Sequence, residues 1–296
     1  MRVAFFGQSG PYAPLALRYL LQNPGEFELV VVVVGTRPSP GKADHRWYAP
    51  KPAPLPEGED LISLATSAGI VCLRTCDVND SGVVAGLAKQ RIDLAVCVGF
   101  DRLFSHPLLH VAGRGFINAH PSPLPLLRGP SPIFWALKQG RRDLAVTLHG
   151  MDERADHGPI FAQTGFALTP LASGEAIFQA AGSLAGRLLR TLLNRAAHEA
   201  LTGTVQDDSR ATRAPRPKPE DAQVDPRAWR CQDLVNFASV APFFRAAWLR
   251  FHDEPFFLRR GLRVEQGRRL PAEYVIEGST LIVQCLDGLA YLEMQV

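Results

Sequence analysis

Cysteine is scarce in this chain. There are five in 296 residues, Cys72, Cys76, Cys97, Cys231 and Cys285, an odd number with no C-x-x-C among them. Three lie within apolar runs that read as strands, so reduced and mostly buried thiols are expected rather than a disulfide frame. Cys72 and Cys76 are separated by three residues with no second Cys/His pair nearby, and no metal site is expected. No run approaches the ~18–20 apolar residues of a membrane span. The start, MRVAFFGQSG, lacks the charged region, apolar stretch and cleavage site of a signal peptide. A cytoplasmic location with no membrane partner is the expectation. Charge of one sign is lacking too: 32 Lys and Arg against 29 Asp and Glu leave a net +3. That permits an anionic partner but gives no general nucleic-acid-binding signature. With 46% apolar and 21% charged residues the chain has the makings of a globular enzyme, and wholesale disorder is excluded.

What is present begins as an alternation. Arg2–Gly7 is a short apolar run, Leu15–Leu21 has helical spacing, and Glu28–Gly35 (ELVVVVVG) is almost wholly β-branched. Such a run suits a strand buried on both faces of a parallel sheet. Ile70–Arg74, Asp93–Phe100, Gly115–Ala119 and Leu144–Met151 read as further strands, with crossover helices at Asp60–Ala68 and Ser81–Lys89. The pattern predicts an α/β fold with a doubly wound, mostly parallel sheet. Between Thr36 and Pro56 lies a proline-rich loop. To Pro54 it carries Arg37, Lys42, Arg46 and Lys51 against Asp44, with Trp47 and Tyr48 interleaved.

Ser173 reads as an N-cap with Glu175 in the first turn. Ile177, Ala181, Leu184, Leu188 and Leu192 then recur at helical spacing up to Arg195 and His198. This predicts a long amphipathic helix closing a catalytic domain of residues 1–202. Residues 203–228, rich in charge and proline, read as a linker. Phe256–Leu258, Tyr274–Glu277, Thr280–Cys285 and Ala290–Met294 then predict a small β-rich C-terminal domain over 229–296.

The chemistry concentrates in two segments. In Phe116–Leu137 (FINAHPSPLPLLRGPSPIFWAL) a strand ends at Asn118, a proline-rich loop follows, and a helix begins near Ser131–Pro132. Ligands of α/β sheets bind outside the carboxyl ends of strands. Asn118 and His120, two apart on extended chain, point the same way there. In Val146–Gln163 a further strand precedes a turn that carries Asp156 before Gly158.

These residues resemble the N10-formyltetrahydrofolate formyltransferase family, which includes methionyl-tRNA, glycinamide ribonucleotide and nucleotide-sugar amine formyltransferases. The matching pieces are Asn118-Ala119-His120, Ser122-Pro123-Leu124-Pro125, Arg128-Gly129 and Asp156-His157-Gly158, with a 36-residue step from His120 to Asp156. The resemblance implies the family's Rossmann-like catalytic fold, an OB-like C-terminal domain, and N10-formyltetrahydrofolate as co-substrate. It implies that Asn118 and His120 are oxyanion donors and Asp156 a proton relay. Ser122, Pro123, Leu124 and Pro125 would wall the folate, and Val98, Gly99 and Phe100 would line the pterin pocket. Acceptor contacts are expected from Arg37, Lys42, Arg46, Trp47, Arg128 and Gly129. His106, His110, His149 and His157 read as structural or surface residues.

A nicotinamide-binding turn is the rival from another class. It fails because Gly7-x-x-Gly10 is not G-x-G-x-x-G, and Glu28 opens the second strand rather than ending it. The acceptor amine is left between two classes. The full length resembles methionyl-tRNA formyltransferase, which implies initiator methionyl-tRNA. Yet Ala241-Pro242-Phe243-Phe244 stands where those enzymes carry Asn-Pro-Trp-Pro, and residues 209–296 hold 13 Arg and Lys against 11 Asp and Glu. That thin charge favours a small amine such as an amino-sugar nucleotide. A monomer is expected.

Overall fold

A computed structural model describes residues 1–8, 10–36, 45–56, 60–169, 172–252 and 254–295. The chain divides into two compact units. The first comprises residues 1–128, 145–165 and 178–212; the second comprises 129–144, 166–177 and 213–296.

The first unit is built on an eight-stranded sheet of order β3-β4-β2-β1-β5-β6-β7-β8. Its centre is parallel: β1 (Arg2–Gln8) lies between β2 (Glu28–Gly35) and β5 (Leu94–Val98), with β4 (Val71–Thr75) beyond β2 and β6 (Phe116–His120) beyond β5. These are the apolar runs of the sequence, and they are apolar because both faces are covered. On one face Ala4, Phe6, Val31, Val33, Leu73 and Cys97 pack with Val83 and Leu87 of α3 (Ser81–Ala88). On the other, α1 (Tyr12–Gln22) and α2 (Leu61–Ser67) lie against the sheet, as the doubly wound reading requires. Asp60 and Asp80 cap α2 and α3 by accepting from backbone N–H groups of the first turn.

Two strands depart from the expectation. Within the stretch read as an unbroken loop, His45–Tyr48 forms β3, an antiparallel edge strand on β4. Its four residues include two aromatics, which suit a pleated edge, and Pro50, two residues beyond its end, lacks the N–H that a longer ladder would need. β8 (Ile160–Ala167) closes the other edge, and its largely exposed side chains give no apolar run to read. Between them β7 (Asp143–Gly150) runs antiparallel to β6.

The second unit carries an antiparallel sheet of order β11-β12-β13-β10-β9. It comprises β9 (Trp248–Phe251), β10 (Glu254–Gln266), β11 (Tyr274–Glu277), β12 (Thr280–Cys285) and β13 (Gly288–Met294). β10 runs for 13 residues, far beyond the Phe256–Leu258 expected. The helix packed on β10 and β13, Cys231–Val240, was not anticipated. The long helix Gly174–His198 begins as expected, with Ser173 Oγ accepting from the Ala176 N–H. All five cysteines are buried and free; burial pushes the Cys72 and Cys285 thiols up to about 12 and Cys231 to about 11. Among the described residues no helix is long and apolar enough to cross a membrane.

Candidate active site

β6 ends in the polar sequence Asn118-Ala119-His120, and its antiparallel partner β7 places His149 directly opposite Asn118. After β7 the chain turns through residues 151–159. Asp156 there adopts φ +52°, the left-handed region. Gly158 follows because a Cβ at that position would stand 2.0 Å from the Gly150 carbonyl oxygen. The turn is thereby folded back onto the end of β7, which brings Asp156 to β6.

Three side chains converge on one oxygen of a fourth, Oδ1 of Asp156. Asn118 Nδ2 donates to Asp156 Oδ1 at 3.0 Å, and His120 Nδ1 and His149 Nε2 stand 3.5 and 3.4 Å from the same atom. Asn118 Nδ2 also lies 3.2 Å from His149 Nε2. The partners of the other ring nitrogens fix the tautomers. His120 Nε2 is 2.9 Å from the Leu127 carbonyl and His149 Nδ1 is 2.7 Å from the Gly150 carbonyl, so both of these nitrogens carry hydrogen and donate. In the neutral form of each ring, His120 Nδ1 and His149 Nε2 then present lone pairs toward Asp156. Asn118 satisfies one of them, its two amide hydrogens going to Asp156 and His149. The contact between His120 Nδ1 and Asp156 Oδ1 sets lone pair against lone pair, and it becomes a hydrogen bond only when it holds a proton.

Burial acts on the same contact. His120 is 4% exposed, and burial lowers its pKa below the usual imidazole range. The Asp156 carboxylate and the Leu127 carbonyl oppose that shift, and His149 adds to it. His120 is thus held neutral until a proton is delivered to it.

The loop expected to face the folate is pinned from behind. Thr147 Oγ1 donates to the Ser122 carbonyl and accepts from the Leu124 N–H, while Gln163 Nε2 donates to the Leu124 carbonyl. Ser122 Oγ donates to the Leu126 carbonyl, and Thr212 Oγ1 accepts from the Leu127 N–H. Ser122 and Leu124 are buried, whereas Pro123 and Pro125 are half-buried. Val98 is buried at the end of β5 and Gly99 is exposed at φ +61°. Phe100 packs edge-on against Phe104 beside the sheet core.

The residues expected to touch the acceptor are less gathered. Arg37 and Lys42 lie outside the described residues. Arg46 places its guanidinium over the Tyr48 ring, and Trp47 rests against Gly86 of α3 while remaining 42% exposed. Arg128 is turned inward: Nε and Nη2 donate to Gln206 Oε1, and Nη2 donates to Asp208 Oδ1. Gly129, at φ +123°, lies where a Cβ would meet the Ala214 carbonyl oxygen at 2.7 Å, so close packing alone requires glycine there.

The family model described as formyl transferase matches residues 1–192. The chain belongs to the formyl transferase family. It is a formyl-transferring enzyme. A methionyl-tRNA formyltransferase from Synechococcus sp. (strain JA-3-3Ab) is 35% identical over 227 residues, 76% of this chain and 67% of that protein. Among solved structures, an N-formyltransferase from Helicobacter canadensis, in complex with folinic acid and dTDP-3-aminofucose, is similar at TM-score 0.67 and 13% identity. It covers 99% of both chains. HypX from Aquifex aeolicus is similar at TM-score 0.64 and 16% identity over 99% of this chain, which spans 45% of HypX. At such identities these structures speak for the fold alone.

Two residues of the site escaped the sequence reading. His149, taken there as structural or surface, is 1% exposed and faces Asn118 and Asp156. Gln206, placed in the linker, donates to the carbonyls of Asp156 and Gly158. His157 keeps a structural part, bridging Asp152 and Asp208.

Proposed function

We propose that this enzyme takes its formyl group from N10-formyltetrahydrofolate and gives it to the amino group of initiator methionyl-tRNA. The observation that carries the chemistry is the convergence of Asn118 and His120 on one carboxylate oxygen of Asp156, with one proton's room between a neutral imidazole and that carboxylate.

Attack of the neutral amine forms the new C–N bond and turns the formyl oxygen into an oxyanion. Asn118 meets it by turning an amide N–H away from Asp156 or His149. Such donors are typically worth ~3–4 kcal/mol when removed singly. The attacking nitrogen sheds a proton into the His120–Asp156 contact. His120 can donate toward the reacting centre only from Nδ1, because Nε2 is given to Leu127. As the bond from carbon to N10 breaks, the same proton passes to N10, and the balance closes with no other reactant. Ser122, Pro123, Leu124 and Pro125 form the wall for the folate, with Val98, Gly99 and Phe100 beside the pterin. A loop pinned by Thr147, Gln163 and Thr212 loses little freedom on binding.

Support for the acceptor comes from the methionyl-tRNA formyltransferase relative at 35% identity. A small amine on a nucleotide sugar is the second reading, favoured by the full-length likeness to the Helicobacter canadensis enzyme. An assay of formyl transfer to a panel holding charged initiator tRNA and amino-sugar nucleotides separates them. Turnover of the tRNA is the expected result, and turnover of a sugar nucleotide alone would replace it by the second reading.

A further inference from the structure

The segment that follows the long helix returns to the catalytic turn. Thr204 forms an isolated antiparallel bridge with Ile160, exchanging two hydrogen bonds of 2.8 Å. The bridge fixes the register of the residues after it, and Gln206 arrives beneath the Asp156 turn. There the residue is 8% exposed and its amide fully used: Nε2 donates to the Asp156 carbonyl at 2.9 Å and to the Gly158 carbonyl at 2.8 Å. Oε1 accepts from Arg128 Nε and Nη2 at 3.1 and 2.8 Å.

The orientation of this amide is over-determined. A guanidinium can only donate and a carbonyl can only accept. A reversed amide would set NH2 against the Arg128 fork and oxygen against two carbonyls. Arg128 is itself anchored to Asp208, whose carboxyl it holds below the usual range. The chain from Asp208 through Arg128 and Gln206 thus ends on the backbone of the residue whose carboxylate meets Asn118 and His120. That backbone sits in the left-handed region, at φ +52° on a non-glycine residue, a conformation that persists only where its surroundings hold it.

We propose that Gln206 is a positioning residue for the reaction: it holds the Asp156 turn so that Oδ1 stays within reach of Asn118 and His120, and Arg128 sets the direction in which it does so. The proposal rests on the proton-relay role proposed above for Asp156. It gives Arg128 a task inside the site in place of an acceptor contact.

The test uses two near-isosteric variants of the full chain, Gln206→Glu and Gln206→Met, each alone and with Asp156→Asn. Glutamate keeps and strengthens the partner for Arg128 while losing both donors to the turn; methionine keeps the volume and loses every hydrogen bond. Turnover is measured with whichever amine the wild-type enzyme formylates, beside the midpoint of thermal unfolding. For each variant that folds, kcat should fall about tenfold or more with KM for the formyl-folate within twofold. In the Asp156→Asn background the same change should cost nothing further, because groups acting through one another are not additive. Should neither Gln206 variant fold, Arg128→Lys, which loses the fork, must show the same split on a smaller scale, two- to threefold in kcat. Wild-type kcat in the variants, a rise confined to KM, or a loss that multiplies with that of Asp156→Asn would each overturn the proposal. Full activity of Asp156→Asn alone would instead remove the reading on which it rests.

Discussion

His120 has one nitrogen tied to the backbone and one facing a carboxylate. Nε2–H is held by the Leu127 carbonyl, and Nδ1 faces Asp156. Because burial lowers its pKa, the unfolded chain takes up the imidazole proton first as pH falls through its ordinary value near 6.5. The unfolded state then binds more protons, so stability drops on acidification, by at most about 1.4 kcal/mol per pH unit for one group. His120→Asn removes that term. The stability of the wild type minus that of the variant, from denaturant titrations at pH 7.5 and 5.5, should therefore shrink at the lower pH. An unchanged difference would show that His120 is not held neutral. Asp156→Asn is expected to slow turnover about a hundredfold or more while folate binding stays within a few-fold, since the amide fills the space and cannot take the proton. Asn118→Ala and His120→Ala should each lower kcat, and the double variant should lose less than the product of the two. Strict multiplicativity in well-folded proteins would mean that they serve separate steps.

The elements that carry these residues differ in how plainly the sequence announces them. β1, β2, β4, β5, β6 and β7 are apolar runs because helices or core cover them, and burial is what an apolar run records. β3 and β8 lie at the edges of the sheet, where half the side chains meet water, and no run marks them. That Asn118, His120 and Asp156 lie together was legible from their spacing and family likeness. His149 was not, because its place depends on the β6–β7 register that sets it against Asn118, and register is invisible until the partner strand is known. Its one local signal is a polar ring within a mostly apolar strand, seven residues before Asp156. Gln206 had no local signal: it acts across 50 residues of sequence from a stretch whose composition reads as linker. The turn between β7 and β8 makes its own demand. Gly158→Ala should cost about 1–3 kcal/mol, the usual range for overpacking, because the obstructing atom is the Gly150 backbone and cannot swing aside. Thermal unfolding checks it, and a variant as stable as the wild type would show that the turn can open.

At the scale of the whole molecule the acceptor question becomes one of charge. A tRNA partner neutralised by Lys and Arg releases counterions, so its affinity falls steeply with salt. Replacing Arg37, Lys42, Arg46 and Lys51 together by Gln should then weaken the acceptor's KM and flatten its dependence on salt. A KM that ignores both the replacement and the salt would point to the small amine. The buried cysteines have another use at this scale. Cys72, Cys76 and Cys97 belong to the first compact unit, Cys231 and Cys285 to the second, and all five are shielded in the native state. Alkylation needs an accessible thiolate, so each thiol reacts only when the structure around it opens. Mass spectrometry of a timed alkylation would therefore read the breathing of each unit from its own cysteines, the protein serving as its own pair of clocks.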